Sequence, residues 1–435
     1  MATVTVQQQA LVLNAFAAIF QNNLISKDLV TWKKFDQEKN DRNGLKVIEQ
    51  VTPDYTTSFT SNGVANLSGG VQDTVFGSEV YQLTQTIGSS MGWGDFVKIR
   101  DLGSARESQA LRKAALRLAT DLDAYIIGYA AKASNNWLGD GNSVVGTWDS
   151  LASAYTRLKQ EGVDSPEQTA VLDYADRQAL GSDVVADNAS LANIGDGVYR
   201  SGFMGNVAGF RTLFTQQLPA MTVGTRVASA TSVTNYSSGN FDNVYSAVCN
   251  SASTNGYFKT GLLNFDGQSG SVTLKDGEVF TIAGIYAYDN QAKKQLNHLQ
   301  QFRVVGDYTA SSGAFTNVRY YPAVITTGPE KTVVNTNGGG STWDGLSITH
   351  IGAAGATLHP RFVADKEAIT VSTADLIMPA TGTARRMNLS KVPMSVRMWQ
   401  HSDFGTGAHS IRFDVAVECN TLANGRERLV RVNGS

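Results

Sequence analysis

Across residues 104–134, Leu111, Ala114, Ala115, Leu118, Leu122, Tyr125, Ile126 and Tyr129 recur at spacings of three and four, while Arg106, Arg112, Lys113, Arg117, Asp121 and Lys132 fall off that stripe. The spacing predicts one long amphipathic helix. Ser104-Ala105-Arg106-Glu107 has the S-x-x-E form in which the serine and glutamate side chains satisfy backbone N–H groups of the first turn, so the start is marked as well. At 1.5 Å per residue the helix would run roughly 45 Å, the length of a strut through an elongated chain.

Around this helix the pattern changes several times. Leu11, Ala15, Ile19 and Phe20 share one face of an amino-terminal helix or arm that needs a surface to lie against. After a charged turn at 36–43, Leu45, Val47 and Val51 alternate with polar residues up to Pro53, and 79–87 alternates again. The stretch 54–77 between them is polar and thinly apolar, so the two runs predict a long two-stranded excursion with no core of its own. A brief strand at 96–100 leads into the capped helix. Residues 148–160 predict a second amphipathic helix stopped by Gly162, and Ser165-Pro166-Glu167-Gln168 opens like a helix start. A strand at 171–174, a short helix at 175–180 and a strand through Leu213 and Phe214 to the stop at Pro219 complete a mixed region.

From Thr222 to about Gly355 the composition turns to Ser, Thr, Asn, Gly and Tyr, with strand-like runs at 272–274, 279–285, 302–305 and 318–325. Asp276-Gly277 reads as a hairpin signal, and the block as an all-β barrel or sandwich. Beyond Thr357 the mixed pattern resumes, with a short helix at 363–368 and strands at 369–372, 395–400 and 410–418. The fold class is therefore α+β, a mixed domain interrupted by a β-rich one. The divisions expected are an arm at 1–35, a region 36–134 holding the excursion and the long helix, a mixed domain of 135–222 with 356–435, and a β-domain at 223–355.

Composition narrows the function. The 36 basic and 38 acidic residues leave a net charge of -2, which gives no global electrostatic case for wrapping nucleic acid or coating a membrane. Charged residues are 17% of the chain, below the roughly 25% usual for soluble domains, which suits a protein whose outside is occupied by β-loops or neighbouring copies. Cys249 and Cys419, far apart, suggest neither a disulfide framework nor a zinc site, and are read as reduced structural thiols. The apolar run at 10–20 has no Lys or Arg before it and is too short to span a bilayer, so the chain is expected in a cytoplasm, with no membrane partner.

Candidate chemistry is sparse. Gly88-Ser89-Ser90-Met91-Gly92 matches the G-x-S-x-G form of a nucleophile elbow, but Gly92-Trp93-Gly94-Asp95 cannot start the helix that motif requires, so a Gly/Ser turn is expected. A calcium loop at 39–50 would carry Lys39 and Gln50 at ligand positions that need charge. His298, His350, His359, His401 and His409 have no second ligand at metal spacing and are read as surface or hydrogen-bonded residues. Gly338-Gly339-Gly340-Ser341-Thr342 lacks the lysine of a phosphate loop. Arg106, Arg112, Lys113 and Arg117 suit a solvated face, inter-subunit ion pairs or weak contact with DNA. No catalytic residue, metal or cofactor is expected.

Several stretches carry a resemblance. Gly205-Asn206-Val207-Ala208-Gly209-Phe210, followed by Gln217-Leu218-Pro219 and Gly224-Thr225, resembles the approach to the inserted β-domain in the major capsid proteins of short-tailed bacteriophages. Leu274-Lys275-Asp276-Gly277-Glu278-Val279-Phe280 and Leu299-Gln300-Gln301-Phe302-Arg303-Val304 resemble strands within it, and His359-Pro360-Arg361-Phe362-Val363 resembles the return. The tail after Cys419 lacks the proline often found near that family's end, and 235–257 is long and polar.

The resemblance implies a Hong Kong 97-type capsid fold: a peripheral domain with the spine helix and extended loop, an axial domain, and an inserted β-barrel. It also implies a subunit that assembles into pentamers and hexamers of an icosahedral shell around double-stranded DNA. Scaffolding, portal and decoration proteins are the implied partners, in the virion and, before assembly, in the host cytoplasm. In such a lattice the loop at about 54–77 lies over an adjacent copy, with Phe59 and Leu67 as anchors and Arg106, Arg112 and Arg117 as further inter-subunit contacts. The other reading of the residues is a β-rich carbohydrate-binding or hydrolytic protein that uses the Tyr-rich block at 236–321.

Overall fold

Four helices form, α1 (Val6–Asn23), α2 (Gln109–Ala133), α3 (Trp148–Gln160) and α4 (Tyr174–Asp187), the last running well past the short helix expected at 175–180, and the strand before it is Gln168–Leu172 rather than 171–174. The computed structural model describes residues 6–35, 46–51, 77–93, 109–163, 165–187, 206–227, 232–234, 260–289, 292–324, 332–336, 345–379, 382–402, 409–421 and 428–434. The turn at 36–43, the stretch 54–76, the strand at 96–100, the capping box at 104–107, Cys249 and the glycine loop at 338–342 lie outside them. Within the described residues the chain is α+β and divides into two units.

The first unit comprises residues up to Val47, Tyr81–Ala130 and Lys366–Thr421. Its sheet is built on the strand His409–Asn420, which pairs along one edge with Gln85–Trp93. Along the other edge it pairs with Ser395–Ser402 over its first half and Thr370–Ala374 over its second. Thr31–Phe35 adds in parallel outside Thr370–Ala374, and Thr383–Asn388 outside Ser395–Ser402. Leu111, Ala114, Ala115, Leu118, Leu122 and Ile126 of α2 are buried as the stripe predicts, each leucine contributing about 1.5–3 kcal/mol. Tyr125 and Tyr129, at its margin, reach Glu418 and Thr421 with their hydroxyls. With 25 residues α2 runs about 37 Å.

Two expectations change here. The buried face of α1 is Leu13, Phe16, Ala17 and Phe20, with Ala15 and Ile19 only half-buried, because both phenylalanines are the bulkiest groups available and turn the helix towards the sheet. Gly88-Ser89-Ser90-Met91-Gly92 is the middle of the strand Gln85–Trp93, not a turn. Glycine is needed at 88 because a Cβ there would stand 2.5 Å from the Asp414 carboxylate. No strand-to-helix elbow exists, and Ser90 sits exposed opposite Arg412.

The second unit holds Ala131–Asp365 and the carboxy-terminal residues, with two main sheets among its described residues. The mixed sheet runs Asn136–Leu138, Leu429–Val432, Arg361–Asp365, Gln168–Leu172, Phe210–Phe214, Asn206–Val207. Its three central strands are buried at every position. That burial overturns the helix expected at 363–368: with both faces covered, the strand shows no period-two alternation for the sequence to betray. The helix start at 165–168 fails likewise, since Gln168 opens a strand and Ser165 Oγ only accepts the Glu167 N–H at 3.2 Å.

Helix α3 follows its signals closely. Thr147 Oγ1 accepts the Ser150 N–H, and Gly162 at φ +83° ends the helix, its N–H bonding Lys159 O while Val163 N–H bonds Leu158 O.

The antiparallel sheet runs Ser232–Thr234, Gly261–Asp266, Phe315–Tyr321, Lys294–Val304, Val279–Asp289, Val333–Asn335, with Ile348–His350 also on Val279–Asp289. Phe265, Phe280, Phe302 and Tyr320 form its centre, with neighbouring rings 5.2–5.6 Å apart for Phe265–Phe280, Phe280–Phe302 and Phe302–Tyr320. Asp276-Gly277 makes a turn, but not a hairpin. Thr273–Leu274 before it pairs with Tyr308–Thr309, and the hairpin partner of Val279–Asp289 is Lys294–Val304.

Candidate functional site

Of the five contact residues proposed from sequence, Phe59, Leu67 and Arg106 lie outside the described residues. Arg112 and Arg117 stand on the solvent face of α2 with Lys113. Arg117 pairs with Asp121 one turn on at 3.0 Å and remains 72% exposed, so the pair is worth at most a few tenths of a kcal/mol. Among the described residues, no further charged group is paired with this face. It is a solvated cationic stripe.

The structure instead braces two loops that sequence reasoning passed over. In the first unit Asp375 takes Lys34 at 2.8 Å and Arg386 at 3.5 Å, while Arg397 donates to Ile377 O at 2.6 Å. Partial burial pushes the Asp375 carboxyl up, but Lys34, Ser395 and Arg386 outweigh it and hold the pKa below the ordinary carboxylate value. Arg397 in turn pairs with buried Asp414 at 2.6 Å, which Arg412 also contacts. The effect is to hold Ile377, 75% exposed, and Met378 in water on a pinned loop. An apolar side chain kept exposed on a fixed backbone is what a contact surface requires.

In the second unit Val144, Trp148 and Tyr174 are exposed near the amino ends of α3 and α4. Their backbone is strapped by the carboxylates of α4. Val145 N–H donates to Asp176 Oδ1 at 2.9 Å, and Trp148 N–H to Asp183 Oδ2 at 2.8 Å. Asp176, fully buried, also accepts from Asp173 N–H and from Arg361 Nε at 2.9 Å. One sequence signal could have found it: an acidic residue in the first turn of a helix.

Two further buried arginines fix the second unit. Arg431 donates to Gly277 O at 2.7 Å, Lys132 O at 3.1 Å and Ser134 O, with its guanidinium 4.6 Å from the Trp137 ring centre. Burial lowers its pKa to about 9. Arg226 and Glu278 form an ion pair at 2.6 Å with neither side chain exposed. Burial lowers the first and raises the second.

His359 and His401 are exposed as expected, but two other histidines depart from expectation. His350 has neither ring nitrogen hydrogen-bonded, and packs against Phe265 and Phe280 at 6.4 and 5.9 Å. His298 Nε2 is buried without a partner. Burial, then the nearby arginine in each case, pushes both down, His298 to about 4. Cys419 is buried and free as expected, its thiol driven up by burial.

A family model described as P22 coat protein, gene protein 5, matches residues 1–424. No curated protein matches the chain in sequence. A solved structure from Mycobacterium phage Che8 is similar at 11% identity and TM-score 0.44, over 96% of this chain and 92% of that one. The capsid structure of the cyanophage P-SCSP1u is similar at 13% identity and TM-score 0.43, over 95% and 88%. The CUS-3 coat protein I-domain is similar at 19% identity and TM-score 0.19, over 28% of this chain and 96% of that one.

Proposed function

The chain belongs to the P22 coat protein family, and from that premise we propose that it is the major capsid subunit of a short-tailed phage, assembling into the pentamers and hexamers of an icosahedral shell around double-stranded DNA. Membership over residues 1–424 is the observation that carries the reading. Scaffolding, portal and decoration proteins are its proposed partners, DNA contact is weak and non-specific, and the subunit resides in the host cytoplasm before it enters the virion.

The finer architecture belongs to the same proposal. The β-rich block at 223–355 is the inserted barrel: Val233 N–H bonds Leu346 O at 3.0 Å and Gly345 N–H bonds Val233 O at 2.9 Å, which supports closure between the first strand and the segment leading to Ile348–His350. Residues 1–35 are the arm, 36–134 the peripheral domain, and 135–222 with 356–435 the axial domain. Phe59 and Leu67 are proposed to anchor the loop at 54–77 on a neighbouring copy, because so polar a stretch cannot by itself offset about 1–2 kcal/mol per residue of ordering entropy. The pinned Ile377 and the strapped Trp148 are proposed as further contacts.

The carbohydrate-binding reading needs exposed aromatic faces in the Tyr-rich block. Tyr320 and Tyr321 are buried there, and the Tyr308 hydroxyl is spent on Val305 O and Arg319 N–H. Light scattering of the purified chain separates the readings: a coat subunit gives particles or very large oligomers, alone or with a scaffold, and a binder or enzyme stays near the 46.6 kDa of one chain.

A further inference from the structure

Along the outer face of α3 runs a groove of about 420 Å³, lined by Leu138, Asp149, Ser153, Thr156, Arg157 and Gln160. Five of these six residues come from one helical face, repeating at three and four, and four of them are the polar residues expected on a solvated helix. Arg157 is the exception. It is 8% exposed, and its Nη1 is buried with no hydrogen-bond partner.

An arginine cannot shed its charge to escape such a position, and a buried cation without an anion is costly. Glu161, one turn on, accepts from Asn136 Nδ2 at 3.1 Å and favours the Arg157 charge through space, but gives its Nη1 no hydrogen bond. Asp149 lines the groove two turns away, about 12 Å along the helix. Thr156 turns its hydroxyl back to Ala152 O. A second orphan lies near: His298 Nε2, buried and unpartnered on the strand Lys294–Val304, close enough for the guanidinium to help hold the imidazole neutral. Of these two nitrogens short of partners, that of Arg157 belongs to the lining of the groove.

We propose that this groove receives an acidic side chain of a second copy of the chain, with Arg157 as the cation it pairs with. The proposal rests on the coat reading, under which copies abut over much of their surface. Charge complementarity selects the occupant: the groove offers a desolvated cation, and a carboxylate supplies both the charge and a fork of acceptors that guanidinium matches. In the single chain the buried Nη1 of Arg157 has no acceptor. Assembly supplies one.

Two variants of the full chain, Arg157→Met and Arg157→Lys, test this with two readouts, the melting temperature of the free chain and the chain concentration needed to form particles. Arg157→Met is expected to melt at or above the wild-type temperature while requiring at least tenfold more chain to assemble, and Arg157→Lys to recover part of that loss. A lower melting temperature for Arg157→Met would make Arg157 an internal structural cation and overturn the proposal. Normal particles from Arg157→Met would overturn it as well. If, in that case, millimolar acetate or phosphate raised the melting temperature of wild type alone, the groove would belong to a small anion. A wild-type chain that forms no particle with any scaffold overturns the coat reading and this proposal together, so the two failures are distinguishable.

Discussion

Phe16 of α1 stacks on Phe413 of the strand His409–Asn420 with ring centres 3.8 Å apart and planes 8° from parallel. The amino-terminal helix, expected as an arm in search of a surface, finds one on the sheet of its own unit. Both rings are fully buried, and Ser390 and Lys391 add hydrogen bonds to Gln21 and Asn22. Replacing Phe16 by Ala removes the stack and leaves a cavity under the helix, so it is expected to cost about 3–5 kcal/mol. Urea unfolding of the free chain reads this as a fall in midpoint; an unchanged midpoint would show that α1 contributes nothing to the fold.

The strand Gln85–Trp93 carries two neighbouring positions with opposite expectations. Gly88→Ala drives a Cβ against the Asp414 carboxylate, which Arg397 and Arg412 hold in place, and should lower the melting temperature. Ser90→Ala changes an exposed residue in mid-strand and should stay within about 0.5 kcal/mol of wild type. Thermal melts of the two variants side by side check both, and hydrolytic activity lost with Ser90 would contradict the structural reading.

Acid should weaken the free chain. His298 and His350 titrate below the ordinary value of 6.5 in the folded state, the first at about 4, through burial and the charges of Arg157 and Arg226. Between pH 6.5 and 4 the unfolded chain therefore binds protons that the folded chain refuses, so their contribution is complete above 6.5 and is lost as the pH falls through that window. His350→Leu, which keeps an apolar group between Phe265 and Phe280, should flatten the slope. Denaturant midpoints at a series of pH values measure it, and an equal slope in the variant would assign the acid sensitivity elsewhere.

Glu278 closes a buried pair with Arg226, and its Oε1 also accepts the Gly224 and Lys275 N–H groups, both at 2.7 Å. Glu278→Gln leaves Arg226 as an uncompensated charge and is expected to cost about 3–5 kcal/mol. Combined with Arg226→Met the loss should be smaller than the sum of the single losses, which a double-mutant cycle on unfolding free energies determines.

Legibility in the sequence followed exposure. Helices α2 and α3 could be read because each has one wet face, and the ends of α3 carry Thr147 and Gly162 as punctuation. Arg361–Asp365 could not, since a strand buried on both sides has no alternation to show. The turn at Asp276-Gly277 was visible but not which strands it joined, because partner choice is set by Tyr308–Thr309, some thirty residues on. Arg112 and Arg117, chosen for charge, are exposed on the single chain. Arg157 had the same sequence appearance, a basic residue near the end of an amphipathic helix, and only the packing around α3 shows that it is buried. The coat family itself was legible through loose motifs spread over the chain rather than through any single site.

The most direct test of the central claim is electron cryomicroscopy of the full chain, purified alone and produced together with a proposed scaffold. The account predicts closed icosahedral shells whose repeating subunit contains a rod of density about 37 Å long for α2. A chain that remains monomeric in the presence of that scaffold, with no closed particles on the grid, would contradict it.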